Sequence, residues 1–357
     1  MRGRRGFLHA RKRGHGARRQ GHRRQPVLHH PPAPAPPQRP LHPLRARAGR
    51  IRRSGSDRAR RPDPPHPYLG RGDPPGVVPH AANRSLPRFG LLAVDLDGTL
   101  LNSRKEVSEQ NRAALARAEA AGVALAFISG RRYAELRALT ADLSAAAFRV
   151  AHGGALIRRS GRTIAEIPLP KRAAELAVRS ARRLRIPALI SERDGSVRIT
   201  AHSPTTPRVA RYLRTVRPEP RFDPDPTFAE DPLHLVIAGT PETCREAERE
   251  LRESLRDSVN LARTEYAASR LGLLDVLAGA ANKGTALARI ARESDLPLSA
   301  TVAIGDNWND LEMLETAGVG VLMENAEPGL KTRGFETTAS HDAHGVAAAI
   351  DRLVLGA

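Results

Sequence analysis

From Phe89 onward, short uninterrupted apolar runs recur, and each ends in a polar cluster. Leu91-Leu92-Ala93-Val94 runs into Asp95, Val123–Ile128 into Ser129-Gly130-Arg131, and Thr301-Val302-Ala303-Ile304 into Gly305-Asp306. Runs of this kind suit strands buried on both faces of a sheet, which then needs helices on each side. The alanine- and arginine-rich stretches Arg112–Ala121 and Arg172–Arg185 supply such helices, with alanine packed inward and arginine in solvent. Ser108 is placed to cap the first of them and Gly122 to end it. Further helices are predicted from Tyr133 and, capped by Asn282, through Ala286–Ile290. In mid-chain the pattern predicts helices over Lys171–Leu184 and Pro241–Leu255, strands over Ala188–Ser191 and Leu233–Ala238, and a strand over Gly272–Leu277 that re-enters the first sheet. Pro168, Pro170 and Gly272 punctuate the crossings.

Before Phe89 this pattern is missing, and composition explains why. Residues 1–88 hold 22 of the 58 Lys+Arg but only 3 of the 38 Asp+Glu, together with 16 of the 29 prolines; Phe7 and Tyr68 are their only aromatics. Such a segment has little with which to bury a core, so a disordered basic tail is expected. The formal charge of +20 therefore belongs almost wholly to the tail, and the remaining 269 residues are close to neutral. A nucleic-acid partner follows only through the tail, as a polybasic arm that adheres to nucleic acid or anionic lipid. The opening Gly3-Arg4-Arg5-Gly6-Phe7-Leu8-His9 lacks the apolar region of a twin-arginine export signal, and proline breaks any amphipathic transit helix. A second account of the tail is an over-extended start, with the protein beginning between Val77 and Phe89; Met1 is the only methionine before Met313. The sole cysteine, Cys244, excludes a disulfide framework and a thiolate metal cluster and fits a reducing, cytoplasmic setting. No apolar run reaches the ~18–20 residues of a membrane span, and the sequence is silent on oligomeric state.

The polar clusters carry the chemistry. In Asp95-Leu96-Asp97-Gly98-Thr99-Leu100, two carboxylates one residue apart fall on one side of an extended chain end. Such a pair can hold Mg²⁺ and divide the labour of nucleophile and proton donor. A calcium loop is excluded, because its required glycine position is occupied by Leu100 and a strand precedes it. Ser129-Gly130-Arg131 offers a hydroxyl, an exposed backbone N–H and a guanidinium to a phosphate, before a helix start that favours anions. Asn282-Lys283-Gly284-Thr285 presents a lysine at a helix start. In Gly305-Asp306-Asn307-Trp308-Asn309-Asp310, a helical turn would face Asp306, Asn309 and Asp310 toward one point, a costly cluster unless a cation neutralises it.

In this order, Asp95-Leu96-Asp97-Gly98-Thr99, Ser129-Gly130-Arg131, Lys283-Gly284 and Gly305–Asp310 resemble the four motifs of the haloacid dehalogenase-like phosphohydrolases. The interval from Ser129 to Lys283 is similar to that of the Cof-type members, which carry a large cap between motifs two and three. The resemblance covers Phe89 to the C-terminus. It implies a doubly wound, Rossmann-like parallel-sheet core (89–170 and 273–357) with an inserted α/β cap (171–272). It further implies that Asp95 attacks phosphorus while Asp97 protonates the leaving oxygen and then activates water. Mg²⁺ would be held by Asp95, Asp306 and the backbone carbonyl of Asp97; Ser129, Gly130 and Lys283 would receive the phosphoryl oxygens; Asn309 and Asp310 would support the metal and orient Lys283. Arg131 either contacts substrate or pairs with an acid, and Asn325 is placed at the site.

Two positions depart from the family pattern. Gly153 stands where relatives carry asparagine in Asn-Gly-Ala, and Glu324 replaces glycine in the later Met-Gly-Asn-Ala segment. Trp308 is expected to pack rather than to stack on substrate, and His234, His341 and His344 have no metal-ligand spacing. The function implied is a Mg²⁺-dependent phosphatase for a small phosphorylated metabolite, a sugar phosphate or a flavin mononucleotide-like compound. The rival readings are a phosphomutase, a phosphonate-cleaving enzyme, which the scarcity of cap lysines disfavours, and a non-catalytic binding protein, which retention of both Asp95 and Asp97 disfavours.

Overall fold

The computed structural model describes residues 88–201, 206–266 and 270–356; the expectations about the tail and its start lie outside them. The chain begins as β1 (Leu91–Asp95), α1 (Glu109–Ala120), β2 (Ala124–Ile128), α2 (Tyr133–Thr140) and β3 (Phe148–Ala151), followed by a hairpin of β4 (Leu156–Arg159) and β5 (Arg162–Glu166). Next come α3 (Lys171–Arg183), β6 (Ala188–Ser191), β7 (Val197–Ile199), α4 (Pro207–Thr215), β8 (Arg221–Phe222), β9 (His234–Gly239), α5 (Pro241–Leu255), β10 (Val259–Tyr266) and β11 (Leu271–Ala278). The chain closes with α6 (Lys283–Glu293), β12 (Thr301–Gly305), α7 (Leu311–Thr316), β13 (Val319–Met323), β14 (Glu336–Thr338) and α8 (Gly345–Ala349).

Among the described residues, fourteen strands form two sheets. The first has the order β14-β13-β12-β1-β2-β3-β4-β5, parallel from β14 to β3, with the β4–β5 hairpin added antiparallel at one edge. Its central strands are buried on both faces, as their apolar runs require. Leu92, Val94, Leu125, Phe127, Val302 and Ile304 pack on α1 and α8, whereas Leu91, Ala93, Ala126, Ile128 and Ala303 pack on α6 and α7. This is the doubly wound arrangement. The chain moves outward from β1 through β2 and β3, then returns on the other side of β1 at β12, so the order reverses between β1 and β12. In open α/β sheets that reversal opens a crevice at the strands' carboxyl ends, where Asp95, Ser129 and Asp306 stand.

The second sheet, β10-β11-β9-β6-β7-β8, is antiparallel except for the β7–β8 pair. One face packs on α3 and α5 through Ala174, Ala177, Ile190, Ile237, Ala247 and Leu274. The other carries Leu189, Val236 and Ala238 under α4. The Gly272–Leu277 segment differs from its expected placement. It lies in β11, central to this second sheet and paired with β9 and β10, instead of re-entering the first. Its near-continuous apolar sequence suits a buried strand in either sheet, so pattern alone could not choose. We place the return to the first layer after Ala278, in the turn leading to Asn282.

Candidate active site

Each motif residue is held by local geometry that its neighbours dictate. Gly98 has φ +88°, and a Cβ there would lie 2.3 Å from Asp306 Oδ2, so only glycine lets the two motifs approach. Thr99 Oγ1 donates to Asp306 Oδ1 at 2.7 Å. Asn282 caps α6 by accepting from Thr285 N at 2.7 Å, which makes Lys283 the first helical residue. The helix start is locked against the β3–β4 connection: at Gly154, φ +117°, a Cβ would stand 2.3 Å from the Asn282 carbonyl oxygen.

Lys283 is 2 % exposed, and its Nζ donates to Asp95 Oδ1 at 2.6 Å and to Asp310 Oδ1 at 2.5 Å. Asp310, wholly buried, spends its other oxygen on the backbone N–H groups of Asp306 and Asn307, both at 3.0 Å. Burial would lower the lysine's pKa, but Asp310 and Asp95 reverse this and hold it above the ordinary lysine value. Burial and the neighbouring Asp310 push Asp95 well above the carboxylate range despite Lys283, and the same two causes push Asp306 up to about 6. Three buried carboxylates thus share one lysine, with oxygens from Asp95, Asp306 and Asp310 within 4.8 Å of one another. Unneutralised carboxylates in a buried site are costly, and an all-oxygen donor set suits a hard divalent cation. Asp310 is already bound by a lysine and two amides, so Asp95 and Asp306 are the carboxylates able to turn to a metal.

Asp97 points elsewhere. Arg131 grips it with two nitrogens, Nε to Oδ2 at 2.5 Å and Nη2 to Oδ1 at 2.7 Å, and Lys105 Nζ reaches Oδ1 at 2.9 Å. Burial would raise its pKa, but the hydrogen bonds and charges of Arg131 and Lys105 prevail and lower it to about 2. The side chain is thus engaged by two cations, outside the acidic cluster of Asp95, Asp306 and Asp310. Arg131 thus pairs with an acid, one of the two roles expected of it. Ser129 is buried, and its Oγ accepts from Arg131 N at 3.2 Å.

Three further residues lie around this cluster. Trp308–Asp310 is a 3₁₀ turn that buries Asp310 and leaves Asn309 exposed, lining the cavity together with Lys283. Asn325 braces the first motif: its amide donates to the Gly98 carbonyl at 2.8 Å and its oxygen accepts from His341 N at 2.9 Å. Trp308 is 48 % exposed at the cavity mouth, with the Arg333 guanidinium 5.8 Å from its ring centroid. Glu324 faces solvent, and Gly153 lines the cavity beside Leu277.

That cavity, about 350 Å³, has Lys283, Gly130 and Asn307–Asn309 on one side and Asn260, Thr264, Asp275 and Leu277 of the second sheet on the other. Sequence reasoning missed a buried contact beside it: His152 Nδ1 lies 3.1 Å from His234 Nδ1, and His234 Nε2 lies 2.8 Å from Asp275 Oδ1. The available signal was a charged residue amid the apolar run Leu273-Leu274-Asp275-Val276-Leu277.

Comparison with known proteins accords with this arrangement. The sequence profile of the haloacid dehalogenase-like hydrolase family matches residues 92–350. The 5-amino-6-(5-phospho-D-ribitylamino)uracil phosphatase YwtE of Bacillus subtilis (strain 168) is 28% identical over 287 residues, covering 74% of this chain and 98% of its own. The pyridoxal phosphate phosphatase YbhA of Escherichia coli (strain K12) is 29% identical over 262 residues, covering 68% and 90%. A haloacid dehalogenase-like hydrolase from Bacteroides thetaiotaomicron superposes with a TM-score of 0.63 at 26% identity, covering 74% of this chain and 99% of that one. TM0651 from Thermotoga maritima, at 23% identity and a TM-score of 0.63, shares the fold over 74% of this chain and 97% of its own. Motif order, sheet reversal and profile match together establish that the chain belongs to the haloacid dehalogenase-like hydrolases, among the Cof-type phosphatases.

Proposed function

We propose that the protein is a Mg²⁺-dependent phosphatase that hydrolyses a small phosphorylated metabolite through an aspartyl-phosphate on Asp95. The observation that carries this reading is the buried Lys283 ammonium fixed between Asp95 and Asp310, with Asp306 beside them. A single lysine under-neutralises this cluster, and a phosphoryl group would add further negative charge. Asp95, Asp306 and the backbone carbonyl of Asp97 would hold Mg²⁺, which supplies the missing positive charge and offsets that of the phosphoryl oxygens. Ser129 and Lys283 would donate to the same oxygens, with the Gly130 backbone N–H beside them.

The steps belong to two carboxylates. Asp95 attacks phosphorus as the bond to the leaving oxygen breaks, and Asp97 gives that oxygen a proton; Asp97 then takes a proton from water as it attacks phosphorus and Asp95 departs. In the arrangement described, Asp97 is ionised because Arg131 and Lys105 hold it so. It can serve as the acid once an arriving phosphoryl group competes for the Arg131 guanidinium, after which its burial favours the protonated form.

Phosphate release from a panel of phosphomonoesters, with and without Mg²⁺, tests the reading against Asp95→Asn. Metal-dependent release that the substitution abolishes is expected. Folded, Mg²⁺-saturated protein that releases no phosphate would bring forward a phosphomutase or a binding protein.

A further inference from the structure

The face of the second sheet that looks onto the cavity is mostly apolar or neutral. Across the register, Asp275 stands opposite Ala262 on β10 and Val236 on β9, with Leu273 and Leu277 two positions away along its own strand. A carboxylate at such a position is costly without a partner. Its partner among the described residues is one histidine: His234 Nε2 at 2.8 Å from Oδ1. The Asp275 side chain nevertheless keeps 25% of its exposure, and the residue lines the cavity together with Lys283. The neighbouring charges on that wall are already matched, Arg252 and Arg263 both pairing with Glu248.

His234 and His152 are both buried, at 2 % and 4 % exposure. Two Nδ1 atoms 3.1 Å apart require one donor and one acceptor. If His234 donates from Nε2 to Asp275, its Nδ1 must accept from His152, which fixes both tautomers by the network. Burial, the adjacent His234 and the nearby Arg132 hold His152 well below the usual histidine range and so in its neutral form. His152 is in turn fastened to the phosphate-binding loop. Its backbone N donates to the Arg131 carbonyl at 2.9 Å, and Gly153 N donates to the Ser129 carbonyl at 3.0 Å. A continuous set of hydrogen bonds thus runs from the loop expected to hold the phosphoryl group to a carboxylate across the cavity.

We propose that Asp275 reads the leaving group, accepting hydrogen bonds from a hydroxyl- or ammonium-bearing substrate and disfavouring one that places a second anion there, with His234 and His152 as positioning residues that aim it. The proposal rests on the phosphatase reading and adds the chemical class of the substrate. An ionised carboxylate accepts and does not donate, so polyol or amino groups satisfy it and a second phosphate is repelled. A hydrogen bond to a charged group contributes ~1.5–3 kcal/mol, or about 10–100-fold in kcat/KM.

The test measures kcat/KM of the full chain with Mg²⁺ for ribitol 5-phosphate, p-nitrophenyl phosphate and fructose 1,6-bisphosphate. The wild type should favour ribitol 5-phosphate over the other two, and Asp275→Asn should shrink the ribitol-to-nitrophenyl ratio about 10–100-fold, mainly through KM. His234→Leu should shrink the same ratio, whereas His234→Gln, which keeps an N–H donor near Nε2, should restore most of it. A ratio unchanged in Asp275→Asn, or activities that fall equally on all three substrates, would overturn the proposal and leave Asp275 a structural partner of His234. Absence of phosphate release from every substrate by the wild type would instead refute the phosphatase reading on which it stands.

Discussion

At the scale of single residues, the site is organised by how few cations serve how many carboxylates. Lys283 is shared between Asp95 and Asp310, whereas Arg131 and Lys105 both serve Asp97. The two groups are set in opposite directions: burial and Asp310 raise Asp95, whereas Arg131 outweighs burial to bring Asp97 to about 2. The depressed value has a consequence for stability with a definite sign. Asp97 is ionised in the folded protein down to about pH 2, while in the unfolded chain it takes up a proton near 3.8. Its pairing therefore stabilises the fold fully above the unfolded value and loses that contribution as pH falls from about 4 to 2. Arg131→Met should lower stability at neutral pH, with a gap to wild type that narrows over that acid interval; Lys105 keeps part of the pairing. Denaturant unfolding at a series of pH values checks this, and a gap that stays constant with pH would show that Arg131 acts through packing alone.

At the scale of elements, strand ends and helix starts bring distant residues to one place. Asn282 caps α6 so that Lys283 emerges at its first position. Asn282→Ala should cost about 1 kcal/mol, the usual loss for such a cap, read as a shift in urea midpoint without a change in slope. Phosphate release should fall as well, since the same cap sets where Lys283 begins. These motif positions were legible in the sequence because their signals are local: an apolar run, a turn residue and a polar cluster within a few positions. The contacts between them were not. Asp97 and Arg131 are separated by 34 positions and His152 and His234 by 82, and nothing in either local sequence names the partner. The turn after Asp306 was not legible either: the i, i+3 spacing assumed an α-turn and the chain forms a 3₁₀ turn. The Gly272–Leu277 strand was legible as a strand but not in its sheet, because an apolar run fits any buried position.

At the scale of the whole molecule, a doubly wound sheet presents the acidic cluster and a second, antiparallel sheet faces it across the cavity. No helix among the described residues is long and apolar enough to cross a membrane. Because the folded cluster lacks positive charge and the unfolded chain scatters its carboxylates, Mg²⁺ should bind the folded form preferentially. At a concentration one hundred times its dissociation constant it should stabilise the protein by about 2.7 kcal/mol, seen as a raised unfolding midpoint, and Asp306→Asn should lose most of that gain. In the proposed reaction Asp95 carries the phosphoryl group between substrate and water. The most direct measurement is acid quenching during turnover with Mg²⁺, followed by mass spectrometry of the peptide containing Asp95. A fraction of that peptide should be heavier by one phosphoryl group, placed on Asp95 and absent in Asp95→Asn. Rapid phosphate release by an enzyme whose Asp95 never carries the label, quenched at any time, would contradict it.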